Sequence, residues 1–252
     1  MRLPRRLDHG EEVDVVGHLE ELRSRLVVAG GAILVATIVA FTFHRRVIML
    51  LTDQLPANHR RLVTFGIAEP FTTSLKVSIA VGFALALPIV LWQLWSFLAP
   101  ALTRQTQHGI VGFTIFAAVL MVGGGAFGYM VALPAALRFL TNYDNSVYHV
   151  QIRAADFISF AVLVLAACAA VFELPIVVLG LVRVRALSSD KLRRNRRVGY
   201  MIVACVGVAL PGVDPVTTIV ETIPLAVLFE ASIWLSVAFE QRWFAPTAAA
   251  AS

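Results

Sequence analysis

The sequence predicts an all-α polytopic membrane protein with six transmembrane helices, the last two short, and with the N and C termini both cytoplasmic. Three observations predict it. Of 252 residues, 58% are hydrophobic and 15% charged, whereas a soluble domain carries about 25% charged residues. Apolar runs occupy residues 26–43, 77–97, 110–133 and 157–182, each long enough at about 1.5 Å per residue to cross most or all of about 30 Å of hydrocarbon. Two further runs, 198–210 and 216–239, flank Pro211-Gly212-Val213-Asp214-Pro215. With both ends inside, Lys and Arg number 14 in the inner segments and 6 in the outer ones, Lys76 being left at a boundary, which is the bias that sets orientation.

Residues 1–25 form a cytoplasmic segment. Arg5-Arg6 is followed at once by Asp8, Glu11, Glu12 and Asp14, and no small-residue cleavage site follows the first apolar run, so no removable signal peptide is expected. Val15, Leu19, Leu22 and Leu26 fall at i, i+4, i+7 and i+11, with Glu20, Glu21 and Arg23 off that stripe. That pattern predicts an amphipathic helix on the inner membrane surface. Residues 26–239 form the membrane domain and 240–252 a cytoplasmic tail.

Within the third span Gly124 and Gly128 stand four apart, which lets a neighbouring helix approach closely. The fourth span is apolar or small over 26 residues except for Glu173, in Phe172-Glu173-Leu174-Pro175. A carboxylate at that depth costs at least about 2.5 kcal/mol, so Glu173 is the first functional-site candidate; the competing reading is a structural Glu satisfied by neighbouring helices. Ser188, Ser189 and Asp190 offer short oxygen side chains for the start of the fifth helix. Residues 198–210 reach only about 20 Å as a helix, and Thr217, Thr218 and Glu221 make the start of the sixth polar, so this hairpin calls for local bilayer thinning. The turn with Pro211 and Asp214 forms its outer cap.

Catalytic and cofactor chemistry find no support. Cys168 and Cys205 lie in apolar stretches without CxxC spacing, and the six histidines include no i,i+4 pair, so neither a disulfide framework nor a metal site is indicated. No nucleotide loop or nucleophile motif is present. Arg193, Arg194, Arg196 and Arg197 lack interleaved aromatics and directly precede an apolar run, as a topological anchor does, not a nucleic-acid patch. A proton-coupled secondary transporter using Glu173 is the alternative reading, weakened by the lack of repeated halves.

His18-Leu19-Glu20-Glu21-Leu22-Arg23-Ser24-Arg25, Glu69-Pro70-Phe71 with Lys76, Gln93 to Leu102, Phe172-Glu173-Leu174-Pro175, Pro211 with Asp214-Pro215, and Ile223-Pro224-Leu225 with Phe229-Glu230 together resemble the TatC family. The resemblance covers residues 15 to 240 in the family's order. It implies a membrane receptor that recognises twin-arginine signal peptides of folded proteins and nucleates the proton-motive-force-driven translocase of the bacterial cytoplasmic membrane. The implied partners are single-span TatA and TatB type subunits and further TatC copies. Family signal-peptide positions fall on Glu21, Leu22, Arg23, Phe97 and the loop after Pro100. Where many relatives carry a glutamate, this loop has Thr106, and it contains no carboxylate. Glu20 and Glu21 are then the acids available to the signal's two guanidinium groups, with the amides of Gln105 and Gln107 as neutral partners.

Overall fold

The computed structural model describes residues 15–98, 110–144, 151–183, 186–209 and 214–244. Among the described residues the regular structure is helical: α1 Val15–Thr42, α2 His44–Thr52, α3 Glu69–Leu98, α4 Ile110–Phe127, α5 Leu133–Asn142, α6 Ala154–Phe172, α7 Leu174–Arg183, α8 Ser189–Arg194, α9 Arg196–Ala209 and α10 Pro215–Phe244. Pro211, Thr106, Gln105 and Gln107 lie outside the described residues.

Among the described residues five stretches are long and apolar enough to cross a membrane: Leu19–Thr42, Glu69–Leu94, Val111–Asn142, Ala154–Arg183 and Pro215–Glu240. The expected fifth span is α9, whose 14 residues extend only about 21 Å, whereas α10, also expected to be short, is 30 residues long and of full spanning length. Two boundaries differ from the hydropathy reading. The second helix begins at Glu69, eight residues before the apolar run, because Glu69 is hydrogen-bonded within the fold. The third continues to Asn142 through one π turn at Gly128–Ala132, which lets Pro134 enter at the start of α5, where a missing N–H is tolerated.

The N-terminal stripe also folds differently from expectation. α1 runs unbroken from Val15 to Thr42, so the surface helix and the first span are one rod. Leu19, Leu22 and Leu26 are exposed on it. No proline or glycine interrupts residues 15–29 apart from Gly17 in its first turn, so nothing forces a bend.

α1 packs along α3 over the molecule's most extensive helix interface. A Cβ at Gly82 would meet backbone atoms of Thr37 at 2.5 and 2.6 Å, so only glycine allows this approach. The main core lies between α2, α3, α5 and α6, around Leu51, Leu55, Val77, Leu133, Phe157, Ile158 and Val164. α2 and the chain after it, read from hydropathy only as an outer loop, bury Leu51 and Leu55 there. A second cluster of Val203, Leu225, Phe229 and Ile233 joins α9 to α10.

Candidate functional site

At one end of the bundle, α1 begins and α3 finishes. Thr37 meets Gly82 and Phe41 meets Phe71 with ring centroids 6.3 Å apart, so the two helices are antiparallel. Glu21 precedes Thr37 by about 24 Å of helix and Phe97 follows Gly82 by about 22 Å, which brings both to the same end. Glu20, Leu22 and Arg23 are exposed there, and Phe97 is half-buried. Glu21 is engaged on its own helix: its Oε1 accepts from Arg25 Nε at 3.0 Å and from the Arg25 Nη2 group. This ion pair has the i,i+4 spacing that brings side chains together on one helix face; Glu20 makes no ion pair or side-chain hydrogen bond among the described residues.

Glu173 occupies the joint between α6 and α7. Pro175 has no N–H to offer the Val171 carbonyl, so the chain tightens: Glu173 N–H donates to Ala170 O at 3.1 Å, and Val177 N–H donates to Glu173 O at 3.1 Å as helix resumes. Both carboxylate oxygens of Glu173 are buried without a hydrogen-bond partner among the described residues.

A second acid, Glu221, is 3% exposed near the start of α10. Its Oε1 is 4.0 Å from the Cys168 sulfur, and its Oε2 is buried without a partner among the described residues. Beside it lies a void of about 10 Å³ lined by Phe127, Cys168, Val171, Phe172 and Pro224, about the room of one water. Phe172, which lines that void, is the residue immediately before Glu173, and each acid stands two or three residues before a proline, Glu173 before Pro175 and Glu221 before Pro224. Hydropathy marked Glu221 only as a polar residue at a helix start; the rule that singled out Glu173 applies to it equally.

Asp214 caps α10. Its Oδ1 accepts from Thr217 N–H at 2.7 Å and its Oδ2 from the Thr217 hydroxyl at 2.5 Å, in a buried setting. Such a cap contributes about 1 kcal/mol. Midway along α10, Glu230 accepts from Tyr200 Oη at 2.9 Å and Trp234 Nε1 at 3.1 Å and pairs with Arg196 at 3.0 Å, locking α9 onto α10. Ser188 accepts from Lys191 N–H, so it starts the short α8; the chain then breaks at Asn195 before α9.

The start of α3 holds an ion pair that no local pattern announced. Glu69 accepts from Arg153 Nε at 3.0 Å and Nη2 at 3.1 Å, and from the N–H groups of Phe65, Gly66 and Ala155 at 3.0 to 3.2 Å. Hydrogen bonding to this carboxylate raises the Arg153 pKa above its ordinary value. A bridge between Val63 and Arg153 brings the two segments side by side, so that Glu69 and Arg153, 84 residues apart in sequence, meet.

The long apolar helices define a multi-pass membrane protein. The model of the TatC family, the Sec-independent protein translocase protein, matches residues 17–224, and the chain belongs to that family. It is 32% identical over 228 residues to the Sec-independent protein translocase protein TatC of Carboxydothermus hydrogenoformans, covering 90% of this chain and 94% of that one. To TatCd of Bacillus subtilis it is 31% identical, covering 96% and 99%. The fold matches a crystal structure of the twin-arginine translocase receptor TatC in DDM with a TM-score of 0.77 and 30% identity, over 87% of this chain and 99% of the other. Its function is Sec-independent protein translocation.

Proposed function

We propose that this chain is the signal-peptide receptor of a twin-arginine translocase in the bacterial cytoplasmic membrane. Its face formed by the start of α1 and the end of α3 takes up the twin arginines of folded passengers. Glu20 and Glu21 are the acidic contacts, Leu22, Arg23 and Phe97 border them, and the loop carrying Thr106 completes the face. The apolar part of the signal runs along α3. With α9 counted as a short fifth span, six spans leave both termini in the cytosol, and Pro211 and Asp214 form an outer-face turn. Single-span TatA and TatB type subunits and further copies of the chain assemble around it, driven by the proton motive force, with Glu173 as the intramembrane polar group.

The observation that carries this reading is the pairing of Glu21 with Arg25. The carboxylate already accepts from two nitrogens of one guanidinium, the chemistry a signal arginine would offer by exchange. This pair is half-buried, but an i,i+4 pair on one helix is worth only about 0.2–0.5 kcal/mol, so a peptide arginine approaching a low-dielectric face can displace it. A twin-arginine peptide should bind Glu21→Ala about tenfold more weakly, the low end for a charged hydrogen bond because Arg25 must first be displaced. Arg25→Ala should bind about twofold more tightly, and Thr106→Glu should recover part of the Glu21→Ala loss. Affinities for twin-arginine and twin-lysine peptides at two salt concentrations decide it. Glu21→Ala within twofold of wild type at low salt would sink the assignment.

A further inference from the structure

At the end of the bundle opposite the start of α1, a cavity of about 580 Å³ opens between the first turns of α3 and α6. Glu69, Thr72, Lys76, Arg153, Asp156 and Ser159 are among its lining residues. Glu69 and Arg153 satisfy each other. Lys76 and Asp156 do not: both are exposed, both line the cavity, and no ion pair between them is recorded among the described residues. Lys76 instead donates to the Ser159 hydroxyl at 3.2 Å, which fixes its depth.

The order of chemistry from the rim inward is specific. Asp156 is in the first turn of α6. Ser159, and with it the Lys76 ammonium, lies three residues further along, about 4.5 Å deeper. Next on the Lys76 face of α3, at i+3 and i+7, come Ile79 and Phe83, which are 49% and 47% exposed. An anion, then a cation one turn deeper, then an apolar stripe is the complement of an ammonium, a phosphate and an acyl chain. The two-carbon linker of an ethanolamine headgroup spans about that one-turn offset.

We propose that this cavity binds a zwitterionic phospholipid of the ethanolamine type. Its phosphate accepts from Lys76 with the Thr72 and Ser159 hydroxyls at hand, its ammonium donates to Asp156, and one acyl chain lies along Ile79 and Phe83. The site is overall neutral, with two acids and two bases, so it does not select a purely anionic lipid by charge. Opposite charges held apart at a membrane boundary gain more from a ligand carrying both signs than from one carrying either.

Native mass spectrometry of the purified full chain, titrated with phosphatidylethanolamine, phosphatidylcholine or phosphatidylglycerol, tests this. The ethanolamine lipid should bind tightest, because the choline headgroup has no N–H to donate and glycerol no cation. Lys76→Gln should weaken it about fivefold, the scale of one interfacial ion pair. Asp156→Asn should weaken it similarly while leaving phosphatidylglycerol unaffected or improved. Neither substitution removes a hydrogen bond of the Glu69–Arg153 pair or a core side chain, although the Asp156 charge also acts on Arg153, and melting temperature in lipid-free detergent checks that both variants are folded. Equal binding of the three lipids, or Asp156→Asn without effect on the ethanolamine lipid, would overturn the proposal. So would crosslinking from position 159 that captures a protein helix and no phospholipid.

Discussion

Glu173 and Glu221 hold three buried carboxyl oxygens without hydrogen-bond partners among the described residues. A buried polar atom left unmade costs about 1–3 kcal/mol, so the fold as described carries these acids at a loss. Replacement by an apolar side chain of similar length should then stabilise the protein, the behaviour expected where function is kept at the expense of stability. Glu221→Met is expected to stabilise the protein by about 1–3 kcal/mol, read as a higher melting temperature in detergent. Glu173→Met is expected to do the same while export of a twin-arginine passenger falls. If both variants lose stability, partners outside the described residues satisfy the acids. If both gain stability and export normally, neither acid serves translocation. Only Glu173 stood out in the sequence, because it interrupts an otherwise uncharged run; Glu221 was masked by Thr217 and Thr218 beside it, which made the segment read as an ordinary polar helix start.

Helix packing depends on where glycine replaces a side chain, and α4 against α6 shows which glycines matter. A Cβ added at Gly124 would lie 2.7 Å from Cys168 O, 2.8 Å from Phe172 Cβ and 2.9 Å from Ala169 Cα, whereas at Gly125 it would meet nothing within 4 Å. Two of the three obstacles at Gly124 are backbone atoms, so α4 and α6 must move apart. Gly124→Ala is expected to destabilise by about 1–3 kcal/mol, the usual scale of overpacking. Gly125→Ala should cost nothing or gain slightly from helix propensity. Thermal melts of the two variants side by side check this; equal melting temperatures would mean that α4 is free to slide. Spacing made the Gly124 contact legible, since small residues four apart are a packing signature. The Gly82 contact with Thr37 had no such partner in sequence. Its signal is a single glycine in a span, which says nothing about which helix will approach.

Across the whole molecule, the order of the apolar helices was legible because hydrophobic length is a property of local sequence, but the length of the last was not: expected to be short, it runs over 30 residues because its polar start is packed within the fold, where Thr217 and Glu221 are buried. Contacts between distant segments were not legible either, and the Glu69–Arg153 pair is the clearest case. Each residue alone reads as an outer-face charge, and only the folded chain brings them together, with Glu69 tying down the loop before α3 and the first turn of α6 at once. The five donors around that carboxylate explain why α3 starts at Glu69 instead of at the apolar run. They also predict that Gln is a poor substitute, since its NH2 group would face N–H donors in a site built for an acceptor. Glu69→Gln and Glu69→Ala should therefore lower the melting temperature by similar amounts. Adding Arg153→Ala to Glu69→Ala should cost less than the sum of the single losses, because the residues act as one unit. Arg153→Lys should rescue only part, since an ammonium cannot present two parallel N–H groups to the carboxylate. Melting temperatures of these variants in detergent form the cycle. Additive losses for Glu69→Ala and Arg153→Ala would show that the loop before α3 and the first turn of α6 are held independently of this pair.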